Sequence, residues 1–153
     1  HPPTFIWRLM RRLSRRVIRL VAAGRGPAVV LVLTTTGRKS GLPRQTPLQY
    51  EQVGDDFYIA SARGPGADWF RNLQAEPRVA VLVGGRQFPA QAEAVTDPAR
   101  IADFLALRLQ RRPRMVGLIM RLEGFPLRYT RADLEQFAAG KALAVLHPLP
   151  PAE

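Results

Sequence analysis

Two runs of strand-forming residues, Arg78–Val83 and Arg86–Val95, are separated by nothing but Gly84-Gly85. A diglycine link of two residues suits the tight turns that join antiparallel strands, so this stretch reads as a β-hairpin. The hairpin rules out an all-helical chain and a purely parallel sheet. Four more β-rich runs fit the same plan: Ala28–Thr36 (AVVLVLTTT), Arg44–Gln52, Phe57–Ser61 after a Gly54-Asp55-Asp56 turn, and Ala142–His147. Helices fall between and after them. Asp68 is placed to cap a helix through Ala75 that Pro77 ends, and Asp97-Pro98 opens one running to about Arg111. Thr130 caps a third, Arg131–Ala139, with Gly140 at its C-terminus. Six short, mostly antiparallel strands with inserted and appended helices make an α+β layout built on a small barrel.

Ahead of the Gly24-Arg25-Gly26-Pro27 breaker the pattern is different. From Phe5 to Val21, Ile6, Leu9, Met10, Leu13, Val17 and Leu20 recur at helical spacing, while Arg8, Arg12, Arg15, Arg16 and Arg19 take the other face. This is a basic amphipathic helix, with Trp7 among its arginines. Residues 1–26 are therefore read as an N-terminal helical segment and 27–153 as the barrel domain. No apolar run approaches the ~20 residues needed to span a bilayer, and the interleaved arginines do not fit a signal peptide. One reading of the helix is attachment to an anionic membrane surface; the other is packing on the barrel with a solvated arginine face. The expected location is cytoplasmic, with peripheral attachment to the inner face of the membrane on the first reading.

The charge balance supports an anionic partner: 23 basic residues stand against 12 acidic ones, for a net +11. The first 26 residues hold seven arginines and no acid, so only four net charges belong to the rest. That distribution, with Trp7 the only aromatic interleaved among the N-terminal arginines, argues against nucleic acid as a partner. The absence of cysteine excludes disulfides, thiolate nucleophiles and Cys-ligated metals, and His1 and His147 alone cannot build a multi-histidine metal site.

The chemistry is concentrated in Thr34-Thr35-Thr36-Gly37-Arg38-Lys39-Ser40-Gly41-Leu42-Pro43-Arg44, where three cations and four hydroxyls occur within eleven residues at the end of a strand. Arginine forks bind oxyanions, and amides beside glycine allow close approach, so the loop suits a phosphate or polycarboxylate tail. It has neither Walker nor Rossmann spacing. A solvated basic hairpin is the plainer reading of the same composition.

This loop, followed by Thr46-Pro47-Leu48 and Tyr50, then Ala60-Ser61, a glycine loop at Arg63-Gly64-Pro65-Gly66, and Trp69, Asn72-Leu73, Ala75, Pro77, Val79 and Val81, resembles the deazaflavin-dependent nitroreductase family. These are split β-barrel, FMN-binding-like proteins that use reduced coenzyme F420. The resemblance implies that Arg38, Lys39, Ser40 and Arg44 hold the coenzyme's phosphate and acidic tail. It also implies that Thr46, Pro47 and Leu48 line the ring pocket, with Ser61, Ala62 and Arg63 beside the ring, and that Trp69 and Asn72 belong to the coenzyme site. Taken without the resemblance, Trp69 is a core aromatic and Asn72 caps a backbone group.

The implied reaction is hydride transfer from the reduced deazaflavin to a small electron-poor acceptor, with Ser61 or Tyr50 supplying a proton. The implied acceptor is a quinone, a nitro compound or another electron-poor molecule. The loop before Trp69 is shorter than the family pattern, Ala62 stands where a lysine is usual, and Arg111–Arg121 (RRPRMVGLIMR) has none of the tyrosines that shape a nitro-substrate pocket. Met115, Leu118, Ile119 and Met120 are instead expected to build an apolar acceptor pocket, the plainer alternative being a core helix with solvated arginines. Two other functions stay open: a split barrel binding FMN, haem or a lipid, and a cofactor-free basic module on membranes or nucleic acid. Split barrels commonly pair strands across a homodimer, which is the expected assembly.

Overall fold

The computed structural model describes residues 15–20, 30–61 and 63–150. Seven strands form one antiparallel sheet: β1 (Val30–Thr36), β2 (Pro43–Gln49), β3 (Glu51–Val53), β4 (Asp56–Ser61), β5 (Arg78–Val83), β6 (Arg86–Val95) and β7 (Ala142–Pro148). The helices are α1 (15–20), α2 (Asp68–Ala75), α3 (Pro98–Arg111), α4 (Pro113–Leu122) and α5 (Arg131–Ala138), with a 3-10 turn at Gly64–Gly66. Strand order is β2-β1-β5-β6-β7-β4-β3. The two edge strands are thus consecutive in sequence, with Tyr50 alone between them. A flat seven-stranded sheet would hold its edge strands six spacings apart, about 30 Å at the usual strand spacing. The sheet must curl until the edges meet, and β2 does approach β4 across the gap. The result is a split barrel in an α+β fold.

This seam explains the first correction to the sequence reading. Six strands were expected, but Arg44–Gln52 is not one strand. It breaks at Tyr50, where the chain stops pairing with β1 and starts pairing with β4. The hairpin β5–β6 has the register that Gly84-Gly85 dictates, Val83 facing Arg86, with both glycines at positive φ.

The sheet's concave face encloses one core and its convex face another. Leu31, Leu33, Val79, Val81 and Leu146 fill the barrel with Phe70 and Leu73 of α2. Leu143 and Val145 point the other way, under Phe104, Met120 and Leu134 of the outer helices. Strand β7 is buried on both sides, which is why Ala142–Leu146 reads as an unbroken apolar run.

Asp97 accepts a hydrogen bond from the Ala99 amide, and Thr130 and Asp133 form a reciprocal capping box, so both expected caps stand. Asp68 is different. The cap position is Ala67, without a side-chain bond, and Asp68 is the first helical residue with its carboxylate turned to Arg38.

A further correction concerns Arg111 and Arg112, which are not simply solvated. Arg108, Arg111 and Arg112 converge on the buried Glu51 carboxylate, with Arg108 Nε at 3.9 Å, Arg111 Nη1 at 3.2 Å, and Arg112 in direct hydrogen bond. Arg111 also donates to the Gln52 carbonyl at 2.9 Å. Burial pulls the Arg108 pKa down. The cluster fastens the end of α3 and the start of α4 to the barrel seam. Glu51→Gln removes the charge on which three guanidinium groups converge. The expected loss is about 2–3 kcal/mol in urea unfolding, below the ~3–5 of a wholly buried pair because Arg111 and Arg112 keep contact with water.

On the same outer face, His147 of β7 bridges Asp56 (Nδ1 to Oδ1, 3.1 Å) and Glu93 (Nε2 to Oε1, 3.2 Å). Glu93 is itself bound by Arg100 of α3. Burial disfavours the charged imidazole, but the bonds to Glu93 and Asp56 outweigh it and raise the pKa above its ordinary 6.5. A raised folded-state pKa gives stability that is complete below about pH 6.5 and is lost as pH climbs through the folded value. Thermal unfolding of the wild type should show that decline above pH 6.5, and His147→Gln should flatten it.

Candidate coenzyme site

The loop between β1 and β2 folds tightly on itself. The Gly37 amide donates to the Leu42 carbonyl and the Gly41 amide to the Gly37 carbonyl, both at 2.8 Å. Gly41 takes φ +72°, a conformation that L side chains rarely adopt. The Leu42 amide donates to Ser40 Oγ at 3.2 Å. A Cβ on Gly37 would meet Ser40 Oγ at 2.6 Å and the Leu42 carbonyl at 3.2 Å, with Arg44 Nε at 3.6 Å. Glycine at 37 therefore lets Ser40 and Arg44 close over the turn.

Arg38 leaves this turn in the direction of α2. Its backbone amide and Nη1 both donate to Asn72 Oδ1, at 3.2 and 2.7 Å, and Nη2 donates to Asp68 Oδ1 at 3.0 Å. The buried Asn72 returns a bond from Nδ2 to Thr35 Oγ1 at 3.4 Å. The hydrogen bond from Arg38 and its charge hold the Asp68 carboxyl below the usual range, with smaller help from Arg63 and Arg71. Both terminal nitrogens of the Arg38 guanidinium are thus engaged by protein. Lys39 and Arg44 differ: both are exposed, and neither has an ion-pair partner among the described residues.

Side-chain alternation sorts the residues of β2. Arg44, Thr46 and Leu48 lie directly opposite Thr35, Leu33 and Leu31, and so share the barrel's inner face. Leu48 and Tyr50 pack against the inner core, and the Tyr50 ring lies 5.4 Å from that of Phe57. Pro47 sits opposite Val32, on the other face. Pro47 and Leu48 therefore do not line one pocket with their side chains.

Ser61 ends β4 buried, its hydroxyl donating to the Gly64 carbonyl at 2.7 Å. Gly64 has φ +66°, and a Cβ there would come within 3.0 Å of the Gly140 carbonyl. This turn seats the Arg63 loop against the start of β7. Arg63 is exposed, and Ala62 lies outside the described residues. Trp69 is buried and meets Phe70 edge-on at 5.8 Å, as a core aromatic.

The structure thus assembles Ser40, Arg44, Thr46 and Leu48 along one hairpin, and braces that hairpin against α2 through Arg38 and Asn72. Sequence reasoning missed Asp68 and Thr35 as members of the brace. The signal available was the four-residue spacing of Asp68 and Asn72, which puts both on one face of a helix.

The expected apolar pocket of Met115, Leu118, Ile119 and Met120 is not formed. Met120 is buried on the core-facing side of α4, while the other three face solvent, because positions 118 and 120 fall on different sides of a helix. A separate shallow cleft of about 320 Å³ lies on the outer face, lined by Thr34, Thr36, Pro43, Arg78, Ala80 and Pro89 among others. Among the described residues no cluster of metal-ligating side chains occurs, and no helix is long and apolar enough to cross a membrane.

Arg38→Ala should cost about 1.5–3 kcal/mol of unfolding free energy, since it strips charge-assisted bonds from the buried Asn72. Asp68→Asn should stay within about 0.5 kcal/mol, because the Asp68 side chain is 81% exposed and its ion pair is screened. Urea titration of the two variants beside the wild type checks the contrast.

Comparison with known proteins places this geometry. Residues 8–115 match the sequence model of the F420H(2)-dependent quinone reductase family. An F420H(2)-dependent quinone reductase of Mycobacterium tuberculosis is 40% identical over 70 residues, which are 42% of this chain and 46% of the relative. The chain spans about half the length of the curated relatives it matches. Among solved structures, an F420-H2 dependent reductase superposes with a TM-score of 0.53 at 20% identity, over 78% of this chain and 94% of that one. A structure described as a domain-swapped dimer gives 0.56 at 18% identity, over 95% and 100%. At these identities the structures attest the fold alone. The family match covers more than half of the sequence, including the whole β1–β2 hairpin and its brace on α2, and the chain belongs to the F420H(2)-dependent quinone reductase family.

Proposed function

We propose that the protein is an oxidoreductase that uses reduced coenzyme F420 to reduce a quinone, and that nitro compounds and other electron-poor molecules are further acceptors. The observation that carries this reading is the pair of exposed cations, Lys39 and Arg44, on a glycine turn whose inner face continues into Thr46 and Leu48. The residues fit the coenzyme. The Gly37 turn is compact because no Cβ pushes Ser40 and Arg44 away, Lys39 and Arg44 match an acidic tail, and Leu48 with Tyr50 offers an apolar wall to a planar ring.

When bound, the coenzyme supplies the hydride. The protein's own part is binding, orientation and proton handling. Lys39, Arg44, the Ser40 hydroxyl and Arg63 hold the anionic end, and Thr46 and the backbone near Ala62 border the ring. Arg38 acts through Asp68 and Asn72 as a positioning residue. Leu48 and Tyr50 keep water off the inner face. Tyr50 Oη, or Ser61 Oγ once it leaves the Gly64 carbonyl, holds a proton for the acceptor's developing oxyanion.

On the same reading the protein works in the cytoplasm as a homodimer, an assembly supported by the domain-swapped dimer of the same fold. Its N-terminal segment, residues 1–26, attaches to anionic membrane. Most of that segment lies outside the described residues. Its described part, 15–20, is helical, with Arg15, Arg16 and Arg19 exposed.

The test is quinone-dependent oxidation of reduced F420 by the purified chain, with titrations of F420 and FMN side by side. Turnover and tighter F420 binding are expected. Lys39→Ala and Arg44→Ala should each weaken F420 binding by about 1.5–3 kcal/mol, the range for bonds to charged groups. Stronger FMN binding, or unchanged F420 affinity in both variants, would overturn the reading.

A further inference from the structure

Of the eight large apolar side chains exposed among the described residues, six fall between positions 115 and 129: Met115, Leu118, Ile119, Leu122, Leu127 and Tyr129. The first four have the i, i+3, i+4, i+7 spacing of one helical face. They are not there for lack of a core-facing side, because Val116 and Met120 of the same helix are buried at 2% and 3% exposure. Helix α4 is therefore apolar on two faces, one against the barrel and one against solvent. An exposed apolar surface of this extent marks a site of contact.

Its surroundings state what it contacts. Exposed Arg114, Arg121 and Arg128 border the apolar residues, and none has an ion-pair partner among the described residues. The single acid between 111 and 130, Glu123, is paired with Lys141 at 3.5 Å. The neighbouring Arg111 and Arg112 are spent on Glu51, which fixes the helix on the barrel. Beyond α4, Gly124 turns the chain at φ +93° and Tyr129 rests on Phe125 at 5.0 Å, so the loop carrying Leu127 is tied down as well.

We propose that this face of α4 and the loop after it dock on an anionic phospholipid surface, the apolar side chains entering the headgroup boundary and the three arginines pairing with lipid phosphates. At ten residues the helix lies along the surface and does not cross it. A second copy of the chain is the poorer occupant, since a two-fold contact would bring this arginine-bordered face against its own like charges. The inference goes beyond the redox reading and is independent of it, because docking requires no coenzyme.

The chain has no cysteine, so one engineered thiol gives an unambiguous probe. Full-length Leu122→Cys and, as a control near the start of β6, Gln87→Cys carry an environment-sensitive fluorophore. Each is mixed with phosphatidylglycerol/phosphatidylcholine vesicles and with pure phosphatidylcholine vesicles. The expected result is a blue shift at position 122 alone, strong with phosphatidylglycerol, weakened by salt, and absent with pure phosphatidylcholine. In co-sedimentation, Leu118→Asp/Ile119→Asp should lower vesicle affinity at least tenfold at unchanged melting temperature, and Arg114→Gln/Arg121→Gln/Arg128→Gln should lower its salt dependence. All variants keep the N-terminal arginines, so unaltered affinity in both sets would overturn the proposal. A shift at 122 without vesicles that grows with protein concentration would assign the face to a second copy. A probe already shielded at all concentrations, and exposed by deleting residues 1–14, would assign it to the chain's own N-terminal segment. Either outcome contradicts lipid docking.

Discussion

The two edges of the sheet, β2 and β3, are one residue apart in the chain, and that covalent link governs the rest of the molecule. Because Tyr50 joins them, the sheet has to roll until its ends meet, and β1's inner face comes to look across a barrel. The roll brings β2 close to β4 and gives α2, which follows β4 through the Gly64 turn, a place against β1. The Arg38 brace then fixes the hairpin to α2. Thr35 in the sheet, Asn72 and Asp68 on the helix and Arg38 in the turn form one connected polar group spanning positions 35 to 72. A mobile basic loop thereby becomes a shaped one, with Lys39 and Arg44 left facing solvent.

Arginine content by itself says little about this sorting. Arg108, Arg111 and Arg112 are consumed by one buried carboxylate at the seam, Arg100 by Glu93, Arg131 by Asp103 and Glu135, and Arg38 by the brace. These charges assemble the fold. Among the described residues, cations without an ion-pair partner include Lys39 and Arg44 of the β1–β2 hairpin and Arg114 and Arg121 of α4. The 23 basic residues therefore divide into those that neutralise the protein's own acids and an outward portion available to anionic ligands.

What could be read from the sequence was local in origin. The diglycine hairpin, the Asp97-Pro98 start and the Thr130 cap depend on neighbours within a few residues, and all three appear as expected. The family resemblance grouped Arg38, Lys39 and Arg44 as one set, and they lie together in the β1–β2 hairpin, although Arg38 is turned to α2. Contacts between distant positions were not legible. Glu51 meets its arginines some sixty residues away, and nothing in Gln49-Tyr50-Glu51 announces that the strand changes partner there. Asp68 looks like a cap because aspartate before an apolar helix usually is one. Only the nearness of Arg38, set by the barrel, draws it away. The apolar run in α4 suggested a pocket because periodicity shows which residues share a face but not what lies opposite.

The account rests on the inner face of the β1–β2 hairpin as the seat of an acidic coenzyme tail. A crystal structure of the chain with F420 bound tests that most directly. The phosphate and glutamate carboxylates should lie against Lys39 and Arg44, with Arg38 still holding Asp68 and Asn72 and the ring beside Leu48. A tail lodged instead in the outer-face cleft, on Thr34, Thr36 and Arg78, or bound by an Arg38 that has left Asn72, would contradict it.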